Sequence, residues 1–444
     1  MIKKLITTGC SLFIVAVFAF NAYGPRTTVA SAAPTSTPGG TSTAYAQSGG
    51  SVTRTDQTYM ASSTDESAVY VTNGGTFDLT NATITSSGNT SSQDNSSFHG
   101  LNAAVLAADG STIKLSNSSV TTSGTGANGV FATGTGSSVT LSRVTIKATA
   151  DGGHAVMATN AGSLVLTDVD MVTAGAHSGA IATDRGGGTI SVTGGTVVTS
   201  GQDSPGIYST GAITVTGATI TAMGAEAAVI EGANSITLTD TKLSTSKEDK
   251  WGVMIYQSMS GDAEGTKGTF TMTGGSLAYS AANGPLFYVT NSTGVITLTD
   301  VNVATSSGIL VKVASNDRWG TQGSNGGTVV FTANKQTLTG NLVADSASSI
   351  TATFQNGSSL TGSINTDNTA KAANLTLDAS STWTVTADSY LASLSDAGAI
   401  SGASITNIIG SGHDVHYDAN LDANSQLGGL TYSLVNGGKL IPNK

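Results

Sequence analysis

The sequence predicts an all-β fold, namely a right-handed parallel β-helix made of three-strand coils and closed by a C-terminal β cap. The main observation is a recurring spacing in which apolar residues occupy positions n, n+2 and n+7, as Ile190, Val192 and Val197 do in TISVTGGTVVTSG. Further copies begin at Phe77, Ile113, Val139, Leu164, Ile213, Ile236, Phe270 and Ile296. Successive copies begin 23–26 residues apart, except for two steps of 36 and 34 residues. Such a period is typical of a solenoid or a propeller.

Each copy of the repeat divides into three short strands. The segment from Ile190 to Val192 alternates apolar and polar residues, which predicts a strand with one buried face. A Gly-Gly corner follows, Val197 opens a second strand, and the pair Ile207-Tyr208 marks a third. A propeller blade needs roughly 40 residues or more and four strands, so the short period favours one solenoid coil per copy. The sequence has no 3.6-residue periodicity, which argues against an α-solenoid.

The composition divides the chain into four parts. Residues 1–32 have a basic start, an apolar core and an Ala-Ser-Ala site, so we expect a secretory signal peptide, with an uncleaved anchor as the alternative. Residues 33–50 are rich in Pro, Gly, Ser and Thr, which predicts a flexible linker. The repeats fill residues 51–333. Residues 334–444 have more closely spaced strands and are predicted to be the final coils and a capping segment, because an open solenoid end exposes unpaired strand edges.

The balance of basic and acidic residues indicates which classes of binding partner to expect. Without the leader's Lys3, Lys4 and Arg26, the chain keeps 15 basic residues against 28 acidic ones. Nucleic-acid binding requires clustered Lys and Arg, so no nucleic-acid partner is expected. The single cysteine, Cys10, lies in the leader, so the mature chain has no disulfide. No later stretch is long and apolar enough to predict a transmembrane helix. We expect a secreted or cell-surface protein.

The C-terminal part carries a family resemblance. The segment NLTLDASSTWTVTADSYLASLSDAGAIS, from Asn374 to Ser401, has an alternating LTL strand, a Ser-Thr-Trp turn ending at Trp383 and a further strand from Ser389 to Leu394. It resembles the C-terminal passenger segment of pertactin-like autotransporters. The resemblance implies a bacterial surface-displayed or secreted β-helix of the pectin lyase-like kind, often an adhesin. Those proteins continue into a membrane barrel, which we do not expect here because the sequence stops at Lys444.

No catalytic cluster stands out. Polysaccharide lyases and hydrolases need grouped carboxylates on one strand face. Asp168, Asp240 and Asp300 share one repeat position, but glycines replace them in the intervening coils, so we interpret them as turn residues. Loop histidines such as His154 and His177 are expected to be exposed. The prediction is therefore a non-enzymatic protein with no catalytic residue, no metal and no cofactor.

A repeated tetrad gives the best candidate for a ligand site. Asp249-Lys250-Trp251-Gly252 and Asp317-Arg318-Trp319-Gly320 share the form Asp-basic-Trp-Gly within irregular polar stretches. An indole face beside charged groups can stack on a sugar ring, and the alternative is that each Trp merely packs over a lateral strand. The predicted ligand-binding residues are Trp251, Trp319, Lys250, Arg318, Asp249 and Asp317.

The predicted function is an adhesin-like scaffold that binds extracellular polysaccharide or a host protein. The alternatives are a polysaccharide lyase or hydrolase on the same fold and a purely structural surface element. Function is expected where the repeat breaks, at residues 86–100, 246–267 and 314–326, because long loops of a solenoid commonly carry binding residues. Rows of outward Thr, for example Thr214, Thr237 and Thr271, fit cross-strand pairing or an ice-binding surface.

Overall fold

The computed structural model describes residues 44–443 and shows an all-β solenoid of about 16 turns. The predicted signal peptide, residues 1–32, lies outside the described residues. Up to the C-terminal coils, each coil gives one strand to each of three faces, and the strands of a face pair in parallel with their equivalents in neighbouring coils. The three strands per coil that the repeat predicts are therefore confirmed.

The first face is a sheet of twelve strands. These are β1 Tyr45–Ser48, β4 Val69–Thr72, β7 Val105–Ala108, β10 Val130–Thr133, β13 Val156–Thr159, β16 Ile181–Thr183, β19 Ile207–Ser209, β22 Ala228–Glu231, β25 Val253–Tyr256, β28 Phe287–Thr290, β31 Ile309–Val313 and β34 Asn341–Ala344.

The second face is a sheet of fourteen strands. These are β2 Ser51–Thr55, β5 Thr76–Thr80, β8 Thr112–Ser116, β11 Ser138–Ser142, β14 Gly162–Thr167, β17 Gly188–Thr193, β20 Ala212–Thr216, β23 Ser235–Thr239, β26 Lys267–Thr273, β29 Thr293–Thr299, β32 Thr328–Asn334, β35 Ser349–Gln355, β37 Ala372–Leu377 and β40 Ser393–Ser395.

The third face is a sheet of ten strands. These are β3 Thr58–Ala61, β6 Thr83–Ser86, β9 Ser119–Thr122, β12 Thr145–Ala148, β15 Asp170–Thr173, β18 Thr196–Thr199, β21 Thr219–Ala222, β24 Lys242–Thr245, β27 Ser276–Tyr279 and β30 Asn302–Thr305.

A fourth sheet belongs to the C-terminal coils. It contains β33 Thr337–Thr339, β36 Ser359–Gly362, β38 Thr382–Val385, β39 Ser389–Leu391, β41 Ile400–Ser401, β42 Ser404–Ile409, β43 Val415–Asp418, β44 Tyr432–Val435 and β45 Lys439–Asn443. The pairs β41–β42 and β44–β45 are antiparallel. The described helices are α1 Gln93–His99 and two 3₁₀ segments, Ala397–Ala399 and Asp422–Leu427.

The repeated apolar positions form the core. Ile190, Val192 and Val197 are each at most 2% exposed, and their equivalents stack along the axis in strict register. In the later coils phenylalanines take such positions, and the ring centroids of Phe331 and Phe354 are 6.2 Å apart. A single coil cannot bury this face alone, so stacking supplies the apolar contacts as well as the hydrogen-bond ladder.

The corner between the second and third faces explains the recurrent acidic residues. Asp168, Asp240 and Asp300 have φ values of 53°, 47° and 53°, and Gly194 and Gly217 take the same conformation in the intervening coils. Asp, Asn and Gly are the residues that adopt this left-handed conformation most easily. The three aspartates therefore occupy turn positions, as the sequence pattern indicates.

The first coil begins earlier than the sequence suggests. Strand β1 lies inside residues 33–50, which the composition assigns to a flexible linker, and it pairs with β4 in register from Tyr45 to Ser48. The ring of Tyr45 stacks on Phe77 with 4.7 Å between centroids. This aromatic contact outweighs the polar composition of the surrounding stretch, so the linker boundary at residue 50 is wrong by several residues.

One buried carboxyl group makes a testable contribution to stability. Asp396 is 1% exposed, its Oδ1 accepts a 3.0 Å hydrogen bond from Asn407 Nδ2, and its Oδ2 has no partner among the described residues. Burial raises the pKa of Asp396 to about 6, although the Asn407 hydrogen bond opposes the rise. Protonated Asp396 therefore stabilises the folded state fully below about pH 4, and this stabilisation is lost as the pH rises through 6.

We predict that Asp396→Asn stabilises the fold at pH 7.5 by roughly 1–3 kcal/mol, because it removes an unpaired buried charge. At pH 4 the variant and the wild type should unfold alike. Denaturant unfolding followed by circular dichroism at both pH values measures the effect. Asp367→Asn, at an exposed position, is the matched control. An Asp396→Asn effect that is equal at both pH values would contradict the assignment.

Candidate functional site

The first face differs from the other two because its outer side is covered. Strands β7, β13, β22, β25 and β28 are buried at every position. On the second face, by contrast, β20 alternates buried and exposed residues. The covering segments come from the three stretches where the repeat breaks. The first face is therefore where the chain departs from a plain solenoid.

The first break folds into helix α1. The Ser92 side chain caps its start by accepting a hydrogen bond from Asn95 N, and Gly100 ends it in the left-handed conformation. The helix is tied to distant coils, because its Phe98 carbonyl accepts hydrogen bonds from Thr159 Oγ1 at 2.8 Å and Asn160 Nδ2 at 3.1 Å. The insertion predicted at 86–100 is thus an ordered wall on the first face.

Arg185 links that wall to the second break. Its guanidinium lies 4.0 Å from the centroid of the Phe98 ring, and its Nη2 lies 2.6 Å from Asp262 Oδ1. Asp262 belongs to the loop between β25 and β26. One side chain therefore contacts both insertions, which come from segments far apart in the sequence.

Buried Glu231 fixes the other end of the same loop. It is 1% exposed, and its carboxylate accepts hydrogen bonds from the hydroxyls of Tyr208, Tyr256 and Ser258 and from the Ser258 amide. Four donors compensate the lost hydration of this carboxylate. Because Tyr208 and Tyr256 lie in different coils, Glu231 holds the loop and two aromatic rings in one arrangement.

Two aromatic pairs form a cleft on this face. Trp251 stacks on Tyr288 with centroids 4.4 Å apart and an interplanar angle of 21°. Trp319 packs against Tyr256 with centroids 4.7 Å apart. A cavity of about 510 Å³ lies over them, lined by Trp251, Tyr288, the segment 315–319, Gln322 and Gly323. Both indoles remain partly exposed. They pack over the strands and also line an open cleft, so the two readings of the tetrads are compatible.

The third break holds Trp319 through its backbone. Asn316 Oδ1 accepts hydrogen bonds from the amides of Arg318 at 2.8 Å and Trp319 at 2.5 Å. Asn325, which is 2% exposed, donates to the carbonyls of Asn316 and Trp319. Arg318 itself is exposed, and its guanidinium lies 4.8 Å from the Trp319 ring centroid. The Trp319 indole is therefore held in place, and the charged Arg318 side chain lies at the rim of the cleft.

The six predicted ligand-binding residues separate into two groups. Trp251, Trp319, Asp317 and Arg318 line the cleft. Lys250 does not, because its Nζ lies 2.6 Å from Asp203 Oδ1 and 3.7 Å from Glu226 Oε1. Burial alone would lower the pKa of Lys250, but the two carboxylates raise it above its usual value. Lys250 therefore stays charged and committed to this ion pair.

Asp249 also lies away from the cleft lining. It has a φ of 59°, and its Oδ1 accepts a 3.2 Å hydrogen bond from Asn283 Nδ2. This is a turn contact between neighbouring coils. The assignments of Asp249 and Lys250 to the ligand-lining surface are therefore corrected, since the two tetrads share a sequence but not an environment.

A second cavity lies beside α1, and sequence reasoning missed it. It measures about 440 Å³ and is lined in part by Ser97, His154, Asp184 and Tyr208. His154 is only partly exposed, and burial lowers its pKa to about 4. His177 also lines this cavity, and it is exposed as expected. The clue in the sequence is weak, because these residues become neighbours only when coils about 25 residues apart stack.

The outward threonines form regular rows on the second face. Thr214, Thr237, Thr271 and Thr297 are partners in consecutive strands, and the row continues at Thr332. Hydroxyl pairs between adjacent strands also occur, such as Thr112 with Ser138 at 3.2 Å. This geometry fits the cross-strand pairing that the sequence suggests.

Comparisons with known proteins do not assign this chain to a family. No family model, curated protein or solved structure matches the chain. Within residues 44–443, no helix has the length and apolar character needed to span a bilayer. The same residues contain no group of three or more His, Cys, Asp or Glu arranged to hold a metal ion.

The Glu231 arrangement leads to a stability prediction. Glu231→Gln replaces an acceptor of four hydrogen bonds by an amide whose NH₂ group faces hydroxyl donors, so we expect a loss of roughly 1–3 kcal/mol. The emission of the partly exposed Trp319, which packs on Tyr256, should also change. Thermal unfolding and tryptophan fluorescence measure the two effects. Glu264→Gln, in the same loop and exposed, is the control. Equal stability of the two variants would contradict the proposed anchor.

Proposed function

We propose that this chain is a secreted or surface-displayed, non-enzymatic β-solenoid that binds glycan in the cleft formed by Trp251, Tyr288 and Trp319. The observation that carries the proposal is the meeting of the two tetrad indoles in one open cleft, although 68 positions separate them in the sequence. Aromatic faces offer large apolar contact at small entropic cost, which suits the C–H faces of sugar rings.

The rim of the cleft supplies the polar half of such a site. Asp317, Arg318 and Gln322 are exposed around the indoles and carry both donors and acceptors. Sugar hydroxyls are both donors and acceptors, so a mixed rim suits them better than a rim of one sign. The open form of the cleft favours an internal segment of a chain over a small enclosed molecule.

The cellular setting is part of the same proposal. The leader-like residues 1–32 support export, and the passenger-like segment Asn374 to Ser401 supports display of the solenoid outside a bacterial cell. An adhesin-like role follows, in which the protein holds a polysaccharide of a cell surface or matrix. The solenoid then acts as a rigid spacer that presents the first face.

The test is removal of each indole. We predict that Trp319→Ala and Trp251→Ala weaken binding to a glycan selected on an array by about tenfold or more, since an aromatic contact contributes on the order of 1 kcal/mol beyond its buried area. Trp319→Phe should retain part of the affinity. Isothermal titration calorimetry measures each constant, and circular dichroism checks the fold.

Tyr70→Ala is the matched control, because Tyr70 occupies the equivalent outward position on the first face far from the cleft. Unchanged binding by both Trp variants would overturn the site assignment. Release of reducing or unsaturated ends from the bound polysaccharide would replace the binding role by an enzymatic one. Ordered self-assembly with no glycan bound would favour a structural role.

A further inference from the structure

The second cavity lies on the same face as the aromatic cleft and has a distinct chemistry. Helix α1 forms one wall through Gln93 and Ser97, and Tyr208 forms part of the opposite wall. Tyr208 and Tyr288 occupy the same outward position, three coils apart. At the usual strand spacing this separation is about 14 Å. A linear ligand lying along the solenoid axis therefore reaches both sites.

The histidine in this cavity presents an acceptor. His154 Nδ1 lies 2.8 Å from the Gly179 carbonyl oxygen, which can only accept, so Nδ1 carries the proton. Because burial lowers the pKa of His154 to about 4, the ring is neutral near pH 7 and Nε2 holds a lone pair. No protein donor contacts Nε2 among the described residues.

Asp184 forms no ion pair among the described residues, and the nearby Arg185 offsets its charge only in part. Its Oδ1 accepts a 2.7 Å hydrogen bond from the Arg185 amide, but the Arg185 guanidinium is engaged with Phe98 and Asp262. Burial raises the pKa of Asp184 to about 7, and the neighbouring Asp262 carboxylate raises it further. Asp203 also lines the cavity, but its carboxylate pairs with Lys250. A positive group is therefore what this environment lacks.

We propose that the cavity beside α1 binds the protonated amine of an unacetylated amino sugar in the same glycan. An ammonium group has three donors and no acceptor, which matches His154 Nε2 and the carboxylates of Asp151 and Asp184. The cavity lining contains no Lys or Arg side chain. The net negative charge of the chain also attracts a cationic polymer. This inference rests on the proposed glycan binding, because it assigns a class to the same ligand.

The experiment compares oligomers of glucosamine, N-acetylglucosamine and glucose that share length and linkage. Calorimetric titration of the full chain is carried out at a pH at which the free amine is protonated. We expect the glucosamine oligomer to bind about tenfold tighter than the other two, as a charged hydrogen bond allows. Asp184→Asn should abolish this preference. Asp168→Asn, an exposed carboxylate at a corner away from the first face, should keep it.

The outcomes separate the two proposals. If all three oligomers bind equally and Trp319→Ala weakens each of them, the amine assignment is wrong and the glycan site stands. If no oligomer binds, the cleft does not bind these three sugars, and the cavity is then probed with monomeric glucosamine. Chemical-shift changes of the His154 ring on addition of glucosamine, if they are lost in Asp184→Asn, would support an amine site that is independent of the glycan site. Their absence would overturn that site too.

Discussion

The in-register stacking of coils is the constraint on which the rest of the structure depends. From β2 to β37 the second-face strands pair without a register shift, so a position in one coil has an equivalent in the next. Inward positions then bury their side chains against like neighbours, as Ile190 and Ile213 do. Outward positions become rows, and a loop inserted in one coil necessarily lies over the rows of its neighbours.

The insertions cover one outward row of the first face and leave two cavities along it. The outward row of the first face includes Tyr208, Val229, Met254 and Tyr288, and the last three pack with the two indoles into a separate apolar cluster. Glu231 then fixes the arrangement, because it hydrogen-bonds to tyrosines of two coils. Such a cluster needs a covering loop, since exposed apolar rows on a sheet promote association. The two cavities lie where this covering is incomplete.

Much of the fold, but only part of the candidate site, could be predicted from the sequence. The n, n+2, n+7 spacing predicts the strands because the alternation of apolar and polar residues along the chain shows which side chains point inward. The breaks in the period also locate Trp251 and Trp319. Lys250 could not be placed, since its salt bridge to Asp203 joins residues 47 positions apart. His154 and Asp184 line one cavity only because the coils stack, and no spacing within one coil encodes that arrangement.

The distribution of charge supports the proposal that both cavities bind one ligand. On the second face, strands β11 to β37 carry a single charged side chain, that of Lys267. On the first face, Lys250 pairs with Asp203 and Arg185 pairs with Asp262, whereas Arg318 stays exposed at the rim of the aromatic cleft. These pairs hold the loops, and the cavity beside α1 is lined by Asp151 and Asp184 but by no Lys or Arg. Under the proposed function, indoles in one cavity and carboxylates without an ion-pair partner in the other favour a ligand that is both carbohydrate-like and cationic.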